Sequence, residues 1–453
     1  MTSLTQALAA FVHQPPFPAE LPAKAVAIIK TGFADTLATM VAGRDEPVVK
    51  IAQQFVEARH PAGGNSSVLL GSQRLNAADA ALINATAGHA LDFDDVALGG
   101  HPSTVLVPAV LAVAEDVNAT GAQALRAYLV GYEVWAELFT REPDAYHLKG
   151  WHPTAVLGTV GACAAAAYLY RLPLEQTQHA LALAASMASG LVANFGTMTK
   201  PLHAGRAAAC GIEAVQLARL GLTASPDVFE HHAGYLAALS PHGKADRTTE
   251  CTTLGRQLRI LDYGLSIKKY PTCYATHRVI DGVLDLRREH GVTGDRVKSI
   301  RARIGVAQAS MLRNHSPSTG LEAKFSLEFA IASALVRGSV GLRELTDEVV
   351  AQEPIRRLME RVDISTDDSS CTVEPIFAMN DRVQLVLDDD RVLDTGEIRF
   401  ARGNAMLALS EQDMQTKFMD CTQGAPFIDN ATLWKQLTGL EHLPLARELA
   451  SAA

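Results

Sequence analysis

Alanine-rich stretches with few charges are the feature that most constrains the fold of this 453-residue chain. Residues 158–170 and 181–190 contain no charged side chain, and residues 77–90 contain almost none. A helix that is apolar on every side has to be buried. Apolar residues spaced by three and four across 26–40 indicate a further, amphipathic helix. These stretches predict a helical domain whose central helices are surrounded by protein.

The residue pattern changes near Tyr263. Ile300, Ala302 and Ile304 alternate with Arg301 and Arg303, a period of two that is typical of a strand. The same reasoning predicts further strands over 362–364 and 383–387, a turn over 388–391, and helices over 326–336 and 341–351. A segment that mixes strands with helices in this way belongs to an α+β domain.

The chain is too long for one ordinary hydrophobic core, so we expect two domains. After Phe400 the pattern is helical again, over 410–418 and 430–440. We therefore predict a mainly α fold with an inserted α+β domain. Residues 1–265 and 401–453 form one discontinuous helical domain, and residues 266–400 form a smaller α+β lid.

Composition argues against several classes of protein. The net charge of −9 disfavours nucleic acids and anionic membranes as partners. The sequence shows neither a run of about 18 apolar residues nor a basic leader followed by an apolar core, so we expect no membrane span and no signal peptide. The six cysteines lack CxxC spacing, which indicates free thiols and a cytoplasmic protein rather than disulfides or metal clusters.

Acid–base side chains are concentrated between two predicted buried helices, in HALDFDD (89–95) and HPS (101–103). Burying such groups costs free energy unless they are paired or meet a ligand. Proton-transfer sites are built from groups of this kind. The alternative interpretation is that the aspartates only cap the second helix.

The spacing within this segment predicts specific contacts. We expect the Asp92 carboxylate to lie within hydrogen-bond reach of an imidazole, in the first place that of His101, or of the Lys200 ammonium. Such a contact would orient the partner and raise its basicity. Asp94 or Asp95, or both, should act as a helix cap or a structural partner.

Cationic side chains lie among small residues in three further segments, 150–154, 194–206 and 268–278. His152 stands at a predicted helix start, where the helix dipole attracts anions. Lys200 precedes a proline, so we expect it in an extended or turn conformation. The third segment lies at the predicted domain boundary, where ligand clefts are common, and should face the histidines of the other segments. The alternatives are a turn histidine, a surface lysine and a basic linker.

Motifs for dinucleotides, phosphate loops, zinc peptidases and the hydrolase nucleophile elbow are absent from the sequence. The letters DFDD (92–95) match the DxDD motif of some terpene cyclases, but 6% aromatic residues is too few for such a site. A magnesium site built from the same aspartates is a further alternative, although no second carboxylate-rich helix is evident. The remaining groups suit removal of a proton α to a carboxylate, because the resulting enediolate needs cations and donors already in place.

At these residues the sequence resembles the MmgE/PrpD family. The matching segments are HALDFDD with HPS, GWHPT (150–154), NFGTMTKPLHAGRAA (194–208), KKYPTCYATHR (268–278) and, more weakly, LEAKFSLEF (321–329). The resemblance implies a helical domain with a discontinuous C-terminal part, an α+β lid, a homodimer and a cofactor-free site between the domains. The implied activities are 2-methylcitrate dehydration, cis-aconitate decarboxylation and iminodisuccinate epimerisation.

The motifs and the resemblance together assign roles to ten residues, and they imply neither a metal nor an organic cofactor. The expected catalytic residues are Asp92, His101, Lys200 and Lys268. The expected substrate-binding residues are His152, His203, Lys269, Cys273, Tyr274 and His277.

Three departures from the decarboxylases of the family remove hydrogen-bonding groups. Val96 stands in place of threonine, Phe329 in place of tyrosine and Cys273 in place of histidine. We therefore expect a lyase that acts on a small di- or tricarboxylate by Cα proton abstraction, as 2-methylcitrate dehydratase does. An epimerase of an iminodisuccinate-like amino-dicarboxylate is the first alternative. A non-catalytic carboxylate-binding protein is an alternative of another class.

Overall fold

The chain divides into a helical unit, residues 1–266 and 410–453, and a mixed unit, residues 267–409. The computed structural model describes residues 3–59, 63–374 and 376–451. The expected mainly α fold with an inserted α+β part is confirmed. The first junction lies one residue after the expected position and the second lies nine residues after it.

The first part of the helical unit consists of helices and one small antiparallel strand pair. The helices are α1 (Leu4–His13), α2 (Ala23–Gly43), α3 (Pro47–Ala58), α4 (Ala77–His89), α5 (Pro102–Val117), α6 (Gly121–Thr140), α7 (Pro153–Leu169), α8 (Leu174–Met187), α9 (Thr199–Arg219), α10 (Tyr235–Leu239) and α11 (Arg259–Tyr263). The strands are β1 (Ser66–Ser67) and β2 (Arg74–Leu75). The sequence did not indicate this strand pair.

Small residues place the central helices of this unit in close contact. Every residue of α4 is buried, and α7 is buried along nearly its whole length. A Cβ atom on Gly205 of α9 would lie 2.4 Å from the Leu82 carbonyl oxygen of α4. Because glycine has no Cβ, α9 and α4 approach more closely than any other residue at position 205 would allow.

One described helix, α2, is long and apolar enough to cross a membrane. Helix α2 contains Lys24, Lys30 and Asp35, so it is not an uninterrupted run of apolar residues. Within the protein, 67% of the most apolar window of α2 is buried. Burial of this kind is typical of a core helix, since the apolar side chains already have protein neighbours.

The mixed unit contains a four-stranded sheet covered by helices. Its elements are α12 (His277–His290), β3 (Val297–Gly305), α13 (Val306–Met311), α14 (Gly320–Ala323), α15 (Leu327–Val336), α16 (Asp347–Val350), α17 (Glu353–Met359), β4 (Val362–Asp367), β5 (Arg382–Leu387) and β6 (Val392–Asp394). The strand order is β4-β3-β5-β6, with β3 parallel to β4 and antiparallel to β5. Ile300 faces Val362 on one side and Leu385 on the other.

One of the two helices predicted for this unit differs from the structure and the other agrees with it. Residues 341–346 form turns, so the helix predicted over 341–351 is reduced to α16. The Thr346 side chain caps that helix and fixes its late start. The predicted helix over 326–336 is confirmed as α15, with Ser326 as its N-cap.

The chain returns to the helical unit through α18 (Glu411–Thr422), α19 (Asn430–Thr438) and α20 (Glu448–Ser451). The Ser410 side chain caps α18 and the Asp429 side chain caps α19. Helix α18 packs against α2, so the N-terminal and C-terminal parts of the chain share one core.

Candidate active site

The acid–base segment lies where the ends of four packed helices meet. Helix α4 ends at His89, and His101 is the N-cap residue of α5. His152 is the N-cap residue of α7, and Lys200 is the second residue of α9. The same small volume therefore receives the C-terminus of α4 and the N-termini of three other helices.

The loop between α4 and α5 has a conformation that directs its side chains inward. Asp92 has a φ of 53°, in the left-handed region that aspartate tolerates better than most residues. A Cβ atom on Gly100 would lie 2.8 Å from the backbone nitrogen of Thr154. Since Gly100 has none, the loop reaches the start of α7, and the His101 N–H donates to the Thr154 hydroxyl at 3.1 Å.

Five side chains in this volume form a closed ring of contacts, which we call the site ring. Asp94 lies 2.9 Å from His89 Nδ1 through Oδ1 and 3.0 Å from His101 Nδ1 through Oδ2. Lys200 Nζ lies 3.1 Å from His89 Nε2 and 2.7 Å from Asp92 Oδ1. Asp92 Oδ1 in turn lies 3.8 Å from His101 Nε2. The ring thus joins two carboxylates, two imidazoles and one ammonium.

The partners of His89 fix its protonation state. Burial, reinforced by the nearby Lys200 charge, lowers the pKa of His89 to about 3 although Asp94 opposes the shift. Lys200 can donate only to an unprotonated Nε2 atom, so the His89 proton resides on Nδ1 and is donated to Asp94. His89 is therefore a neutral imidazole. It donates to Asp94 through Nδ1 and accepts from Lys200 through Nε2, so it links the positions of these two side chains.

Asp94 is the ionised centre of the ring. Burial alone would raise its pKa, but the two imidazoles beside it outweigh burial and hold the pKa of Asp94 well below the ordinary value. A carboxylate at His101 Nδ1 places the proton of a neutral ring on that nitrogen. The basic nitrogen of His101 is then Nε2, on the side of the ring that faces Asp92.

A second pair of imidazoles lies beside the site ring. His152 Nδ1 and His203 Nδ1 are 3.1 Å apart, so one nitrogen donates and the other accepts. Phe195 lies edge-on to His152 with ring centres 4.8 Å apart, and Lys200 Nζ lies 5.5 Å from the Phe195 ring centre. Burial, reinforced by the Lys200 charge, lowers the pKa of His152 well below its ordinary value. His147 is affected similarly, and its pKa falls to about 4.

Asp95 lies outside the site ring and has a structural role at the start of α5. The Ser103 N–H donates to Asp95 at 3.2 Å and the Ser103 hydroxyl makes a very short contact with the same carboxylate. This contact caps the first turn of α5, because the N-cap residue His101 supplies no side-chain hydrogen bond there. The expectation that Asp94 or Asp95 acts as a cap is confirmed for Asp95.

Four members of the ring could also hold a metal ion. Ligand atoms of His89, Asp92, Asp94 and His101 all lie within 4.8 Å of one another. The Lys200 ammonium, however, is already bonded to one carboxylate and one imidazole of this set. A metal ion there would lie next to a fixed positive charge, so the donor set suits a built-in ammonium better than a divalent cation.

The remaining predicted site residues belong to the mixed unit. They are Lys268, Lys269, Cys273, Tyr274 and His277. Within that unit the His277 ring packs 5.0 Å from the Tyr274 ring, and Asn404 Nδ2 donates to the Tyr274 hydroxyl at 3.0 Å. All except Lys269 are buried. The catalytic role expected of Lys268 and the binding roles expected of the others stay predictions.

The predicted site residues of the helical unit do come together, with one correction. Of the two partners predicted for Asp92, Lys200 lies within hydrogen-bond distance at 2.7 Å, and His101, named first, lies at 3.8 Å. Lys200 is helical, not extended: Pro201 stands in the first turn of α9, where a missing N–H leaves no helical bond unmade.

Three residues of the site escaped assignment from the sequence. His89 and Asp94 lie inside the predicted segment, yet neither was given a catalytic or binding role, and Phe195 was not singled out in NFGTMTKP. The available signal was the five-residue spacing of His89 and Asp94 across a helix end, where a turning chain can bring the two side chains together.

Comparisons with known proteins identify the family of this chain. Residues 6–248 match the MmgE/PrpD N-terminal domain and residues 270–432 match the MmgE/PrpD C-terminal domain. The chain therefore belongs to the MmgE/PrpD family.

Curated relatives cover most of the chain. It is 29% identical to cis-aconitate decarboxylase of Homo sapiens over 401 residues, which is 85% of this chain and 80% of the human protein. The corresponding Mus musculus protein is 29% identical over 360 residues, 76% of this chain and 72% of the mouse protein. A cis-aconitate decarboxylase-like protein of Aspergillus oryzae is 25% identical over 371 residues, 76% of each chain.

Proposed function

We propose that this protein is a lyase-type enzyme that removes the Cα proton of a small di- or tricarboxylate without a metal or an organic cofactor. The observation that carries the proposal is the site ring, in which Lys200 is held beside neutral His89 while Asp94 orients His101. The family membership and the names of the relatives support a carboxylate-acting lyase.

Binding of a polycarboxylate follows from charge. Lys200 is buried and supplies a fixed ammonium, and the N-termini of α5, α7 and α9, the positive ends of their helix dipoles, lie around the same volume. Helix N-termini bind carboxylates readily. The neutral His152–His203 pair adds hydrogen-bonding groups without adding charge that would hold the product too strongly.

Proton transfer is assigned to His101. The Asp94 carboxylate at His101 Nδ1 fixes the ring and raises the basicity of Nε2, as in other carboxylate–histidine pairs. His101 Nε2 takes the Cα proton, and the electron pair of the broken C–H bond moves into the adjacent carboxylate to give an enediolate. The Lys200 ammonium stabilises that developing negative charge.

The reaction is completed by loss of a β-hydroxyl group as water, with formation of a carbon–carbon double bond. Protonated His101 returns its proton to the departing hydroxyl. This dehydration is favoured over decarboxylation because Val96 has no side-chain donor where the family's decarboxylases have threonine. Val96 is instead held through its backbone, which exchanges hydrogen bonds of 2.8 Å and 2.9 Å with Ser266.

The test is a panel of candidate acids in deuterated water, followed by proton NMR and by absorbance of the unsaturated acid. The panel contains citrate-type, cis-aconitate-type and aspartate-type acids. Dehydration of a hydroxy acid produces the chromophore, and the His101→Ala variant should lose that activity. Failure of every acid to react or to exchange its Cα proton in the wild type would overturn the proposal.

Other outcomes of the same panel identify the alternatives. Release of carbon dioxide from a cis-aconitate-type acid would indicate decarboxylation. Incorporation of deuterium with racemisation and no chromophore would indicate epimerisation, for which the two imidazole pairs supply two proton-transfer groups. Binding without any proton exchange would indicate the non-catalytic alternative. The expected homodimer and cytoplasmic location stay predictions, and light scattering tests the first.

A further inference from the structure

A lysine of the C-terminal helix α18 reaches the centre of the loop that carries the site ring. Lys417 Nζ donates to the Phe93 carbonyl oxygen at 2.8 Å and lies 3.9 Å from the centre of the Phe93 ring. Its charge is balanced by Asp35 of α2, whose Oδ1 atom lies 2.6 Å away. Phe93 is the residue between Asp92 and Asp94, the two carboxylates of the ring.

The bond from Lys417 to the Phe93 carbonyl oxygen restricts the backbone next to Asp94. The carbonyl of Phe93 and the N–H of Asp94 belong to one planar peptide unit. A donor that fixes the carbonyl therefore fixes the plane from which the Asp94 side chain departs. The neighbouring residue Asp92 is in the left-handed region, where a loop gains most from an outside bond that holds its conformation.

Stability alone does not account for the Lys417–Asp35 pair, because burying two charged side chains costs free energy. Both side chains are almost completely buried, and burial raises the pKa of Asp35 although Lys417 opposes the shift. Apolar residues of the same volume often stabilise a core at least as well as a buried ion pair. What apolar residues could not supply is a directed bond to the Phe93 carbonyl.

We propose that Lys417 is a positioning residue, which acts through the Phe93–Asp94 peptide to aim Asp94 at His89 and His101. Its effect on turnover rests on the proposed function, whereas its effect on the imidazoles does not. The role is one of positioning because the two bonds that carry the argument end on the Phe93 carbonyl oxygen and on Asp35.

The test compares variants by two measurements on the full-length protein. Lys417→Met removes the donor but leaves Asp35 buried without this partner, so the Lys417→Met/Asp35→Asn variant removes both charges. Steady-state kinetics with the acid found in the panel give kcat and KM. Proton–nitrogen NMR of histidine-labelled protein gives the imidazole signals, assigned with His89→Asn and His101→Ala.

A matched control is Lys30→Met. Lys30 of α2 makes the same kind of link to the C-terminal part, with its Nζ 2.9 Å from Glu441 Oε1 and donating to the Thr438 carbonyl at 2.7 Å. These bonds end on neither Phe93 nor the site ring. Any loss common to both lysine variants therefore reports on the general stability of the helical unit.

The double variant should lower kcat by about 10²-fold, the loss typical of a small misplacement in an active site, with KM nearly unchanged. The His89 and His101 signals should shift, and Lys417→Arg should restore part of both readouts. Signals and kcat like those of Lys30→Met would overturn the proposal. If the double variant does not fold, Lys417→Met decides, because it removes the bond to Phe93 with Asp35 unchanged: wild-type imidazole signals and kcat in that variant would also overturn the proposal. If no acid reacts, the proposed function fails, but the imidazole signals still decide this proposal.

Discussion

Lys200 Nζ lies 2.7 Å from Asp92 Oδ1, although the two residues are 108 positions apart in the sequence. The contact joins the first turn of α9 to the loop after α4. Their side chains are only 9% and 13% exposed, so the pair is shielded from most of the surrounding water. An ammonium held in this way needs little rearrangement when negative charge develops nearby, which is the condition for strong electrostatic stabilisation.

Replacement of Lys200 by alanine should lower kcat/KM by about 10²–10³-fold, because the enediolate loses its fixed counter-charge. The fold should survive with a lower melting temperature, since the packing of α9 against α4 and α7 is kept while the largely buried Asp92 carboxylate loses this partner. Steady-state kinetics and a thermal melt measure the two effects. Lys244→Ala is the matched control, because Lys244 is also paired with an aspartate, Asp144, but is 59% exposed. Equal rates for both variants would remove Lys200 from the chemistry.

Asp94 and Asp92 should differ when each is changed to asparagine. Asp94→Asn removes the carboxylate that faces both His89 and His101, and kcat should fall by about 10²–10⁴-fold, as for loss of a general base. His101→Ala should show a loss of the same size. Asp92→Asn should lower kcat by less than Asp94→Asn does. Because asparagine also tolerates the left-handed conformation, this loss reports the removal of the charge alone. An Asp92→Asn loss larger than that of Asp94→Asn would contradict the assignment.

His89 should make stability fall as the pH is lowered. Its pKa is about 3 in the folded protein and near 6.5 when unfolded, so between these values the unfolded chain binds more protons. Relative to His89→Asn, the wild type should lose about 2 kcal/mol of unfolding free energy between pH 6.5 and pH 5. Denaturant titrations of both proteins measure the difference. Above pH 7.5 the unfolding free energies of the two proteins should run parallel, and parallel values over the whole range would show that folding does not lower the pKa of His89.

Chelation should leave activity intact, and zinc should distinguish the wild type from Lys200→Ala. Removing the ammonium leaves His89, Asp92, Asp94 and His101 as a donor set that suits zinc. Zinc should then raise the melting temperature of Lys200→Ala and leave that of the wild type unchanged, because a ligand stabilises only the fold it binds. Loss of wild-type activity on chelation, with recovery on adding one divalent cation, would instead establish a metal enzyme.

Local sequence patterns predicted the helices and the clustering of the acid–base side chains well. The alanine-rich stretches gave α4 and α7, and the acid–base segment between helices gave the loop that carries the ring. These features depend on periodicity and burial, which are properties of neighbouring residues. Which aspartate contacts which imidazole depends on two backbone details. These are the left-handed conformation of Asp92 and the close approach of Gly100 to the backbone nitrogen of Thr154. Such backbone details are set by tertiary packing, so the partner of Asp92 was predicted only as one of two possibilities.

Lys200 shows a second reason why sequence patterns fall short. The rule that a residue before proline avoids the helical region is a preference, and it predicted an extended Lys200. In the structure α9 begins one residue earlier, and Lys200 and Pro201 share its first turn. The packing of α9 against α4 outweighs the local preference. Contacts between distant segments, such as Lys417 with Phe93, leave no periodic signal at all.

The return of the chain through α18 also sets an order of events during synthesis. Lys417 and Phe93 are 324 positions apart, so the ribosome has completed the whole mixed unit before the lysine that supports the site loop emerges. Domains that emerge earlier can fold first, at synthesis rates of about 5–20 residues per second. The helical unit can therefore be assembled in outline early, but the loop that carries the site ring gains its bond from Lys417 only after the mixed unit has been synthesised.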